Sequence, residues 1–189
     1  MRRALLGIGV FAGFILSASV PSASQEIIHA FTGTVSAIND AAKTITVFQD
    51  NGTQGVFHEI SNPKTRIAFD KKVADATTAV AKFDKSGAYA IVFYYGDRDN
   101  PTVVALKNLG AGPFESTTGT VAKVEAHKSI TVSDETGAQH TFKIDKDTVA
   151  EGAMGAVGGD RFFVNKGDRV RVVSSTVGSD ATILFLRDM

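Results

Sequence analysis

A four-residue string, Thr32-Gly33-Thr34-Val35, returns letter for letter as Thr118-Gly119-Thr120-Val121, and the correspondence runs far beyond it. Ile45-Thr46-Val47 meets Ile130-Thr131-Val132, Asp50 and Gly52 meet Glu135 and Gly137, and Phe57 meets Phe142. Thr65 then meets Thr148, Gly87 meets Gly167, and Val103 meets Ile183. The offset drifts from about 86 to about 80 residues, and turns and the middle segment absorb the drift, since length changes are tolerated there. The chain therefore reads as one unit used twice. Each copy, of about 75 residues, is far longer than a solenoid repeat and should close its own small core.

Within each copy the hydrophobic period is mostly two, which places alternate side chains on opposite faces of a strand. TGTVSAIND, KTITV and GVFHEI form the first three strands, with Asn51-Gly52 as the hairpin turn. AYAIVFYY (residues 88–95) and TVVAL (residues 102–106) supply the fourth and fifth. Between the third and fourth, Val73, Thr77, Val80 and Phe83 recur at helical spacing. The second copy repeats the strands as GTVAKVE, SITVS, HTFKI, RVRVV and TILFL, but its middle segment, EGAMGAVGGDRFFVN, is too rich in glycine for a long helix. The expected fold is all-β with a short helix per unit: two tandem five-stranded OB-like barrels, with a ten-strand β-sandwich as the competing architecture. The expected organisation is a signal peptide (1–24), a first barrel (25–108), a linker (109–116) and a second barrel (117–189).

The leader assignment rests on Arg2 and Arg3, the uncharged apolar run of residues 4–16, and Ser22-Ala23-Ser24 before Gln25. The run is shorter than the roughly 20 residues a spanning helix needs. Export to the periplasm or the extracellular space is expected. Without Arg2 and Arg3 the chain carries 18 basic against 20 acidic residues, so no global charge draws it to nucleic acid or anionic lipid. Cysteine is absent, which removes disulfides and thiolate chemistry together.

Both copies resemble small secreted bacterial OB-like domains that open with G-x-V and close with a G-D-x-V strand, as Gly167-Asp168-Arg169-Val170 does in the second copy. The first copy departs from that pattern with Gly87-Ala88. The second copy is also distantly similar to the periplasmic copper chaperones of this fold, which use a His, Met and Trp cluster around their second and third strands. Here tryptophan is absent, and the matching hairpin, SDETGAQHTF, offers His140 without a methionine. The resemblance implies the fold and not the copper function.

No stretch carries a catalytic signature, and no G-x-S-x-G nucleophile turn occurs. His29, His58, His127 and His140 lack a spacing that forces convergence; His127 and His140 flank one hairpin, near Glu125 and Asp134. No cofactor is expected. The loop of residues 96–101 lacks the glycine and distant glutamate of a calcium loop. Arg161, Lys166, Arg169 and Arg171, interleaved with Phe162 and Phe163, form the densest basic cluster, yet Asp160 and Asp168 neutralise half of it.

One surface does not fit an ordinary barrel. If Arg169 and Arg171 look outward, Val170 and Val172 look in, and the glycine match transfers this register to the first copy. Ala90, Val92 and Tyr94 then point inward, while Tyr89, Ile91, Phe93 and Tyr95 point out, joined by Phe48 at the place Ser133 holds in the second copy. Such a stripe needs a cover. The expected covers are the second barrel, the first unit's own helix, another subunit, an envelope protein, or an apolar or glycan ligand. These expectations describe a non-catalytic binding or structural module of the envelope or extracellular space, with a periplasmic carrier of a metal or small ligand as the alternative. Nucleic acid and stable membrane insertion after cleavage are not expected.

Overall fold

The computed structural model describes residues 26–59, 86–97, 99–177 and 180–189. The expected signal peptide and the expected helix around Val73–Phe83 lie outside the described residues.

The first unit contains β1 (His29–Asn39), β2 (Thr44–Phe48), β3 (Gln54–Glu59), β4 (Tyr89–Tyr95) and β5 (Thr102–Gly110). They close in the order β1-β2-β3-β5-β4, with β3 and β5 parallel and the other pairings antiparallel. The second unit contains β6 (Glu115–Glu125), β7 (Ser129–Asp134), β8 (Gln139–Lys143), β9 (Val149–Gly152), β10 (Gly155–Gly158), β11 (Arg169–Val177) and β12 (Asp180–Asp188). Its sheet runs β10-β9-β12-β11-β6-β7-β8, and an additional β12–β8 pairing joins the ends of the five strands that correspond to the first unit. None of the described residues forms a helix long and apolar enough to cross a membrane.

The two units share irregularities as well as strand order. A register shift between Val35 and Ala37 in β1 has its counterpart between Val121 and Lys123 in β6. Another places an extra residue, Val104 of β5, opposite Phe93 and Tyr94, and its match places Leu184 of β12 opposite Val173 and Ser174. Each inserts one residue, bends its strand and helps a small sheet close on itself. The repeated glycine of TGTV has a steric cause: a Cβ on Gly33 would collide with the Phe48 carbonyl oxygen, and one on Gly119 with that of Ser133.

In the second unit the expected short helix is replaced by the β9–β10 hairpin, followed by a single 3-10 turn at Gly159–Arg161. Glycine explains the substitution. Gly155 holds a positive φ of 88°, which a side chain resists, and the glycines at 152, 158 and 159 weaken any helix over this stretch. The hairpin docks onto β12 through a short parallel ladder.

Each barrel has its own core. Phe31, Val35, Ile45, Val47, Phe57, Ala90, Val92, Val103 and Leu106 fill the first; Val121, Ile130, Val132, Phe142, Val170, Val172 and Ile183 are among those filling the second. A third cluster lies between them. Ile28, Ala30, Tyr89, Ile91, Phe93 and Ala105 from the first unit pack against Val149, Val173 and Phe185 from the second. The outer face of β1, β4 and β5 is thus sealed by β9, β11 and β12. Phe93, Ile91 and Phe185 are fully buried. Burying each such side chain contributes about 1.5–3 kcal/mol, so the seam is comparable to a small core.

Candidate functional site

Polar contacts fasten the seam at its margins. On one side, Arg171 projects from β11 away from its own barrel and donates to Asp50 Oδ2 at 2.9 Å and to the Tyr89 hydroxyl at 3.3 Å. Tyr89 in turn donates to Asp50 at 3.1 Å, and Phe114 packs on its ring at 5.1 Å. The Arg171 side chain is only 5% exposed, so its charge depends on this contact. Desolvation raises the Tyr89 phenol pKa, with Arg171 opposing. Nearby, Lys107 donates to the Asp147 carbonyl across the seam at 2.9 Å.

On the other side, Glu151 of β9 reaches the first strand of the first barrel. Its Oε1 lies 2.8 Å from His29 Nδ1, and its Oε2 accepts the Ala30 N–H at 2.8 Å. The Glu151 side chain is 8% exposed. Burial pushes its carboxyl above the ordinary range, against the pull of His29, the Ala30 N–H and Arg187. The Ile28 carbonyl accepts the Ala156 N–H at 2.7 Å, so the chain entering β1 runs along β10 and covers part of that edge.

Beside this second fastening opens a cleft of about 840 Å³. One wall comes from the first barrel: Gln54, Gly55 and Val56 of β3, together with Gly96, Asp99 and Pro101 of the β4–β5 loop. The other comes from Gly152, Ala153, Arg187, Asp188 and Met189 of the second unit, with His29 and Glu151 between. An aromatic series runs along it: His29 lies 5.6 Å from Tyr94, Tyr94 lies 5.1 Å from Phe57, and Phe57 lies 5.3 Å from Phe31. Gly55 leaves room for this series, because a Cβ there would press on the rings of Phe57 and Phe31. Val56, 40% exposed, and the well-exposed Met189 give the opening an apolar rim. With Gln54, Asp99, Glu151, Arg187 and Asp188 also in the lining, polar groups make up at least as much of the cleft as apolar ones.

The residues expected to form the apolar stripe separate. Tyr89, Ile91 and Phe93 point away from their own barrel, as the register requires, and are buried against the second unit. Tyr95 packs at the margin of that cluster. Phe48 lies beyond it, 40% exposed. Tyr94 faces the other way and lines the cleft.

The remaining candidates do not converge. Asp134 takes hydrogen bonds from Thr136 and His140, which hold its carboxyl far below the usual range, so His140 completes a turn. His127 stacks edge-on with the exposed Phe163 at 6.2 Å. Arg169 pairs with Glu135, Arg171 is buried in the seam and Phe162 packs on the second core, so the basic cluster is dispersed. Among the described residues, no three His, Cys, Asp or Glu side chains are grouped to hold a metal ion.

Sequence reasoning missed Glu151 and the cleft. One signal was available: Glu151 is a lone charge after two apolar residues in a stretch otherwise made of small residues, and a carboxylate there needs a partner.

No protein-family model matches the sequence, and no curated protein matches it. Among solved structures, Ag(I)-bound CusF is similar at 16% identity with a TM-score of 0.32, over 41% of this chain and 100% of that one. A Cu(II)-bound variant of CusF from Escherichia coli is similar at 18% identity with a TM-score of 0.31, over 40% of this chain and 91% of its own.

Proposed function

We propose that the protein is a non-catalytic binding module of the bacterial envelope or extracellular space, in which two OB-like barrels derived from one duplicated unit are locked together to form a ligand cleft. The observation that carries this reading is the composite wall of the cleft. Neither barrel alone supplies it: the aromatic series belongs to the first, whereas Glu151, Arg187 and Met189 belong to the second. Locking two units at a buried seam fixes the distance between those walls before a ligand arrives, which lowers the ordering cost of binding. Glu151, whose two oxygens are engaged by His29 and the Ala30 N–H, acts in this reading as a fastening between the two barrels.

The chain has no tryptophan, so Val56→Trp places the sole indole at the rim of the cleft. We expect its emission to shift saturably with one of three probes: an extended hexapeptide, a linear oligosaccharide such as cellohexaose, or dodecanoate. A Phe163→Trp reporter, outside the cleft lining, should stay unchanged. Failure of all three probes to move the Val56→Trp signal, or equal shifts of both reporters, would overturn the cleft as the binding site.

A further inference from the structure

The wall formed by β3 presents main chain as well as side chains. In the antiparallel β2–β3 ladder, Lys43 and Glu59 are bonded through Glu59 N–H to the Lys43 carbonyl at 2.9 Å, and Gln49 N–H donates to the Thr53 carbonyl at 2.8 Å. Bonded pairs alternate with non-bonded ones along such a ladder. The register therefore makes Val47–Gly55 and Ile45–Phe57 bonded pairs and leaves Thr46–Val56 and Phe48–Gln54 non-bonded. The N–H and C=O groups of Gln54, Val56 and His58 consequently point away from β2. His58 uses its N–H on the Pro101 carbonyl at 2.9 Å, where β5 begins its parallel pairing. At Gln54 and Val56 that pairing has not started, and among the described residues their main-chain groups meet no partner. Both residues line the cleft.

We propose that this free edge of β3 takes up an extended polypeptide segment of a partner protein as an added strand, so that the ligand of the cleft is a peptide. The proposal rests on the cleft reading above. Its specific support is the alternation of donor and acceptor at Gln54 and Val56, which an extended backbone repeats at its own two-residue spacing and the tail of a fatty acid cannot match. Alternate side chains of the guest would face the Tyr94 and Phe57 end of the aromatic series, while the others would lie beside Val56 and Met189; apolar residues suit both. Asp99 and Asp188 in the lining, against Arg187, favour a guest that also carries a basic residue.

The test uses the Val56→Trp protein and the blocked hexapeptide Ac-Lys-Val-Phe-Val-Tyr-Lys-NH2, compared with two isomers N-methylated at its second and fourth, or its third and fifth, amides. Strand addition uses every second guest amide. One isomer should therefore bind at least about tenfold more weakly than the parent, and the other within about threefold of it. Equal loss or equal retention by the two isomers would overturn the proposal. So would a reporter that answers to cellohexaose or dodecanoate and not to the parent peptide, an outcome that leaves the cleft reading intact. Silence toward every probe would instead remove the cleft reading itself.

Discussion

Replacing Phe93 with alanine removes a ring that has no part in its own barrel's core. Phe93 is fully buried, and its cluster includes Ile91 from its own strand and Val149, Val173 and Phe185 from the opposite unit. Truncating a buried Phe costs about 3–5 kcal/mol, from lost transfer energy plus the cavity left behind. For a domain of this size each kcal/mol lowers Tm by about 2–4 °C, so a fall of about 6–20 °C is expected. Phe48→Ala supplies the internal comparison, because Phe48 is another outward-facing aromatic of the same barrel but is 40% exposed; its loss should cost under about 1 kcal/mol. The assay is thermal and urea unfolding followed by circular dichroism, with near-ultraviolet signals reporting tertiary packing. If the seam couples the units, Phe93→Ala should unfold in one transition displaced to lower temperature. A Phe93→Ala protein as stable as Phe48→Ala, or one that unfolds in two steps with the second barrel unaffected, would refute the reasoning.

Two further outcomes follow from the polar fastenings. Asp50→Ala leaves the Arg171 guanidinium buried without its carboxylate and should destabilise by about 1–3 kcal/mol, whereas Arg171→Met, which removes the charge and keeps apolar volume, should be close to neutral; paired urea titrations measure the asymmetry. Glu151 gives a pH dependence of definite sign. Its folded-state pKa lies above the unfolded value of about 4.5, so its contribution is fully present below that value and is lost as pH rises through the folded one. The stability difference between wild type and Glu151→Gln should accordingly move against wild type from about pH 4.5 upward, as read from unfolding midpoints across pH 4 to 8; a flat difference would contradict the buried fastening.

Local pattern carried most of the fold. Alternation at Ile45 and Val47, the Asn51-Gly52 turn and the paired glycines at 87 and 167 each act over a few residues, so the strand order and the outward face of β4 are readable from the chain. The β9–β10 hairpin is not, because glycines at 152, 155, 158 and 159 lower helix propensity without specifying what replaces the helix. The breadth of the seam is equally hidden: Phe48 and Phe93 look alike as outward aromatics, and only the placement of the second barrel covers one and exposes the other. Asp50 reads as a turn residue until Arg171 is brought across 121 positions to meet it. The cleft depends wholly on such long-range placement, since His29 and Glu151 stand 122 residues apart.

The joining of the two barrels into a single body is the claim on which the cleft depends, and residual dipolar couplings measure it most directly. Amide couplings from β1 to β5 and from β6 to β12, collected in one weakly aligned sample, should fit a single alignment tensor with the orientation of the seam described above. Two tensors of different magnitude or direction, one for each barrel, would contradict it.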